Sequence, residues 1–129
     1  MVQRAEGRCV SNEFAATEPS MSTEIYVRAV AFQEGDAWVA QGIDYDIVAH
    51  ASTLTDLPTA FTRAVLENAC ITSQLGREPM EGIKPAPEHY RLMFEEATIE
   101  VRLIRGEAPR APRLPTPRVD VRLAEHAHV

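Results

Sequence analysis

The sequence predicts an α/β chain, of the α+β kind, and three observations predict it. Short apolar–polar alternations follow one another between Glu24 and Ala51; a 3.6-residue period takes over from Thr53 to Leu75; a two-residue period returns at Thr98. The expected order is a three-stranded antiparallel meander, a long helix, a short helix and a fourth strand.

In the first strand, Glu24 to Gln33, Ile25, Val27, Ala29 and Ala31 take one face and Tyr26, Arg28, Val30 and Phe32 the other. Both faces are mostly apolar, so both need cover. Glu34-Gly35-Asp36 reads as a tight turn, because glycine adopts the positive φ that such turns require. Asp36 to Gly42 returns as the second strand, with Trp38 and Ala40 on one face and Val39 and Gln41 on the other. Ile43 to Tyr45 connects it to a third strand, Asp46 to Ala51, where Ile47, Ala49 and Ala51 are in register.

Thr53 opens the helix in one reading, with its hydroxyl capping the first turn and Asp56 completing a capping box. Pro58 would then crowd the carbonyl of Leu54; with Thr55 as the cap it falls in the tolerant first turn, so two starts stay open. At 100° per residue, Leu54, Leu57, Phe61, Ala64, Val65, Asn68, Ile71, Thr72 and Leu75 share one side, which is expected to cover the sheet. Leu66 and Cys70 point away from that stripe. Gly76 permits a left-handed stop.

A loop, Arg77 to Pro85, leads to a second helix from about Pro87 to Ala97, with Tyr90, Met93, Phe94 and Ala97 at i, i+3, i+4 and i+7. Thr98 to Ile104 sets Ile99, Val101 and Leu103 against Glu100 and Arg102, a strand with one dry face, although a helix continued to Arg105 is the competing reading. From Arg105 to Arg118 four prolines interleave with four arginines, so an extended tether is expected. Val119, Val121 and Leu123 form a last alternating run, able to join an edge strand of its own chain or of a neighbour.

Three segments follow: a disordered leader over 1–20, an α/β domain over 21–104 and a Pro/Arg-rich tail with a terminal strand over 105–129. The net charge of −6 is uneven, since residues 21–104 carry 13 acids against 6 bases and the tail carries 5 bases against 3 acids. An acidic body repels phosphate backbones and favours a basic partner. No apolar run approaches the roughly 20 residues of a membrane helix, and the charged first 20 residues do not read as a secretory signal, so a cytoplasmic protein is expected. Cys9 and Cys70, without a companion histidine at ligand spacing, read as two ordinary thiols.

Tyr26-Val27-Arg28-Ala29-Val30, Gly35-Asp36-Ala37-Trp38-Val39-Ala40, Thr53-Leu54-Thr55-Asp56, Asn68 and Ile83-Lys84-Pro85-Ala86-Pro87 occur in an order that resembles the HicB-like antitoxin family over residues 24 to 104. The resemblance implies a partial ribonuclease H sheet, a homo-oligomer (dimer or tetramer) and neutralisation of a small RNA-cleaving toxin, without a cofactor. Many relatives append a ribbon-helix-helix or helix-turn-helix domain. After residue 104 only the Pro-Arg stretch and one strand-like run remain, too short for two further helices, so operator DNA is not expected as a ligand. An RNA-binding adaptor using the arginine tail is the alternative.

Candidate chemistry is sparse. Asp44 and Asp46, with Asp36, could hold Mg²⁺, but solvated turn acids are the expectation; His50 has no nucleophile at a recognisable spacing. Asn68, on the apolar helix side, is expected to hold sheet or loop backbone, and Trp38 and Thr53 are read as structural too. Tyr26, Val30 and Phe32 need cover from the tail, the second helix or a second subunit. They are therefore, with Leu66 and Cys70, the candidate partner or subunit contacts.

Overall fold

The computed structural model describes residues 24–103, 109–111 and 113–124, so the expected leader lies outside the described residues. The strands are β1 (Tyr26–Glu34), β2 (Ala37–Gly42), β3 (Val48–Ala51), β4 (Ile99–Val101) and β5 (Arg118–Leu123), and the helices are α1 (Leu57–Gln74) and α2 (Glu88–Glu96). They form an α+β fold on one five-stranded sheet of order β3-β2-β1-β5-β4.

The meander is the one the alternation predicts. Glu34 pairs with Ala37 across a two-residue turn, and the antiparallel ladder runs to Ala29 opposite Gly42. Gly42 is the position where backbone comes closest: a Cβ there would stand 2.5 Å from the Tyr45 carbonyl oxygen and 3.3 Å from the Phe61 ring. Its N–H donates to the Ile47 carbonyl at 2.7 Å, closing the β2–β3 connection. The third strand is shorter than expected, beginning at Val48, because Asp46 and Ile47 serve that connection instead.

α1 starts four residues later than Thr53. Its N-cap is Asp56, and Pro58 sits in the first turn, where the missing N–H leaves nothing unpaired. Thr53 still acts locally, its hydroxyl accepting from the Asp56 N–H at 3.1 Å. The C-terminus is a Schellman turn: Gly76 has φ of +81°, its N–H donates to the Ser73 carbonyl, and the Arg77 N–H donates to the Thr72 carbonyl.

The buried side of α1 differs from the sequence expectation. Leu57, Phe61, Val65 and Ala69 lie fully inside the core against the sheet, and Leu66 and Cys70 are buried outside that core, whereas Ile71 is 53% and Leu75 64% exposed. Leu66 and Cys70 are therefore not surface contacts, and Cys70 is disulfide-bonded rather than an ordinary thiol. Asn68 does not reach sheet or loop; its amide donates to the Ala64 carbonyl one turn back, at 2.8 Å. The loop is held by Thr72 instead, whose hydroxyl accepts from the Met80 N–H at 2.9 Å and fixes a buried residue with φ of +73°.

Under α1 the first core gathers Ile25, Val27, Ala29, Ala31, Ala40, Ile47 and Ala49 around Phe61, with Trp38 packed at its edge. On the opposite face α2 covers a second core of Val30, Phe32, Val39, Ile43 and Phe94, flanked by Tyr90 and Met93. Val30 and Phe32 thus find their cover within the chain, Phe32 stacking on Tyr90 at 6.2 Å, and they are not open contacts for a second subunit. The loop before α2 is tied to the β2–β3 connection, with Asp46 N–H donating to the Lys84 carbonyl and Ala86 N–H to the Ile43 carbonyl.

The largest difference lies at the C-terminus. β5 is an interior strand, parallel to β1 and antiparallel to β4, with Val121 opposite both Ala29 and Val101 and 2% exposed. Residues 118–123 are sheet, so the fold extends past the boundary expected at 104. β4 takes the edge that the sequence left to the tail. It is only three residues long, and its dry face is incomplete, with Ile99 52% exposed.

Candidate functional site

α2 covers one end of its face of the sheet and leaves the other end open. The register puts Tyr26 beside Arg118, Arg28 beside Asp120 and Val30 beside Arg122. Alternation along β1 and β5 sends the apolar partners of these residues to the first core, so the charged and aromatic side chains gather on the α2 face.

The site is built from ion pairs and rings. Arg28 grips Asp44 with Nη2 to Oδ1 at 2.7 Å and Nε to both carboxylate oxygens at 3.2 and 3.3 Å, while the Arg28 backbone N–H adds a bond to Oδ2 at 3.0 Å. The guanidinium of Arg122 lies 4.3 Å from the Phe94 ring centroid and that of Arg28 5.5 Å, so the same ring carries the end of the second core and faces two cations. Tyr26 Oη donates to Asp120 Oδ2 at 3.3 Å, Arg118 stands over the Tyr26 ring at 5.4 Å, and Arg118 also faces Glu24 at 3.6 Å. Asp120 pairs with Arg122 at 3.7 Å.

Burial would raise the Asp44 carboxyl, but the hydrogen bonds from the Arg28 side chain and backbone, with its charge, outweigh that and hold it below the usual carboxylate value. The hydrogen bond to Asp44 likewise holds Arg28 protonated against its own desolvation. Partial burial, then the charge of Asp120 and the bond to it, push the Tyr26 phenol above its ordinary value. None of these groups is poised to exchange a proton near neutrality. The surface exposes tyrosine and arginine side chains held in place by acidic neighbours.

Of the predicted contacts, Tyr26 alone lies on this patch, 45% exposed. Val30, Phe32, Leu66 and Cys70 are buried. Arg118, Asp120 and Arg122 are not among the predicted contacts, although Val119, Val121 and Leu123 read as a terminal strand; the polar residues alternating with them are the signal of its second, half-exposed face. The expected turn acids are not simply solvated either. Asp44 is held by Arg28, and Asp46 Oδ1 accepts from the Gln41 amide at 2.9 Å. Among the described residues no group of three or more His, Cys, Asp or Glu side chains could hold a metal ion, and no helix is long and apolar enough to cross a membrane. His50 lies exposed on β3.

No family model, curated protein or solved structure matches the chain.

Proposed function

We propose that the chain is a non-enzymatic protein-binding module of the cytoplasm, acting as a HicB-like antitoxin or an orphan relative that neutralises a small, basic, RNA-cleaving toxin, and that it works as a homo-oligomer. The observation that carries this reading is the order of elements, a three-stranded meander running into a long helix, together with the motifs quoted for the resemblance between residues 24 and 104. The acidic charge of that segment supports a basic partner by long-range steering. The Tyr26 end of the sheet is the contact surface this reading uses, since anchored tyrosine and arginine side chains lose little freedom on binding. The RNA-adaptor alternative draws less support: Arg118 and Arg122 of its arginine tail lie in β5, each facing an acid.

The test is co-expression with a small basic protein encoded in the adjacent reading frame. The expected result is a co-purifying complex and rescue of growth. Absence of both rejects the antitoxin reading, and RNA retained by the intact chain at low salt would favour the adaptor.

A further inference from the structure

We propose that β4, the outer strand of the sheet, pairs antiparallel with β4 of a second copy, joining two five-stranded sheets into one across a two-fold axis at Val101. Among the described residues no strand lies beyond β4, so its outward N–H and C=O groups are a template for another chain. The side chains decide which chain. Ile99-Glu100-Val101-Arg102-Leu103 is self-complementary about its centre. Run antiparallel against itself, Val101 meets the partner's Val101, Glu100 meets the partner's Arg102, and Ile99 meets the partner's Leu103. The two-fold axis makes each unlike contact twice.

The side chains are placed for such a joint. Glu100 lies beside Arg122 and Val101 beside Val121, so alternation puts Glu100 and Arg102 on the α2 face and Ile99, Val101 and Leu103 on the α1 face. Pairing about an axis normal to the sheet keeps each set on its own face. The Arg102 side chain is 83% and that of Glu100 51% exposed, and within the chain they face each other at 3.2 Å, a surface pair that exchanges partners at little cost. Ile99, 52% exposed, gains an apolar neighbour that β4 alone does not give it. The charges also select the register. Sliding the second copy by two residues sets Glu100 against the partner's Glu100 in one direction and Arg102 against the partner's Arg102 in the other. The opposite edge carries no such code: β3 reads Val-Ala-His-Ala, without an acid–base pair, and α1 packs over it. This inference rests on the homo-oligomer part of the proposed function and supplies its interface, without depending on the toxin.

The test is sedimentation equilibrium of the full chain over a concentration series, for wild type, Arg102→Glu, Glu100→Arg and an equimolar mixture of the two variants. The wild type is expected to dimerise with concentration. Each variant alone sets like charges opposite each other at both pairs and is expected to dimerise at least about tenfold more weakly. In the mixture one chain carries acids at both positions and the other bases, so mixed dimers are expected to form about as tightly as wild type. Glu100 also neighbours Arg122, so urea midpoints check each fold. Should Glu100→Arg not fold, Arg102→Glu must still weaken the dimer more than Arg102→Gln does. A wild type that is monomeric throughout, an assembly indifferent to the reversals, or folded variants that stay apart when mixed would each overturn the proposal. Co-purification with the small basic protein is scored separately, so a chain that binds it as a monomer would remove this interface and leave the antitoxin reading standing.

Discussion

The two faces of the sheet solve the problem of cover differently. Under α1, small and branched side chains of β1, β2, β3 and β5 close around Phe61, which is wholly buried, and the layer is apolar from end to end. Under α2, the apolar layer stops at Phe94, and beyond it Arg28, Asp44, Asp120, Arg122 and Tyr26 continue the face as rings and ion pairs. A nine-residue helix cannot span the face that an eighteen-residue helix spans. The shorter cover leaves the end of that face to polar and charged side chains.

The sharpest way to test that difference is to remove the central ring from each face. Phe61→Ala should destabilise the chain by about 4–5 kcal/mol and Phe94→Ala by about 3 kcal/mol, read from urea midpoints, because the second cavity opens at a boundary that can partly collapse. Equal losses would mean that α2 covers as completely as α1. A contrast within α1 comes next: Leu66→Ala should lose about 2–3 kcal/mol, while Ile71→Ser, at an exposed position, should stay within about 0.5 kcal/mol.

That pair of positions also marks where the sequence stopped being informative. Strand faces were legible because a period of two leaves only two choices, and Ile25, Val27, Ala29 and Ala31 did fall together. On a helix the apolar stripe is wider than the contact, and the crossing over the sheet selects the sector. Here it brings Leu57, Phe61, Val65 and Ala69 into the first core and leaves Ile71 and Leu75 exposed. Asn68 and Thr72 both lay on the predicted side, but only Thr72 sits where the loop returns with Met80. The alternation of β5 was visible as well, yet its partner was not, since pairing Tyr26 with Arg118 is a long-range choice that local pattern does not encode. The candidate site suffered for the same reason. Tyr26 could be named, while Arg118, Asp120 and Arg122 become neighbours only when β5 enters the sheet.

The polar end of the second face can be weakened without touching either core. Asp44→Asn should lose about 1 kcal/mol at neutral pH, a modest figure because the pair is about a third exposed. The Asp44 carboxyl is depressed in the folded chain, so its contribution is fully present above the ordinary value near pH 4 and is lost as the pH falls through the lower folded value. Urea midpoints of the wild type and Asp44→Asn should therefore converge as the pH falls through the lowered folded value. A gap that persists there would mean that the carboxylate charge is not what stabilises.

The smallest structural effect belongs to Tyr26→Ala, whose ring is nearly half exposed and which should leave the midpoint within about 1 kcal/mol of wild type. Its effect on binding is the direct test of the claim that one face folds the chain and the open end of the other recognises a protein. The measurement is the dissociation constant for the proposed partner, a small basic protein encoded in the adjacent frame, for wild type and Tyr26→Ala side by side. The account predicts at least a tenfold weakening, about 1.4 kcal/mol, with folding unchanged; an unaltered dissociation constant would contradict it.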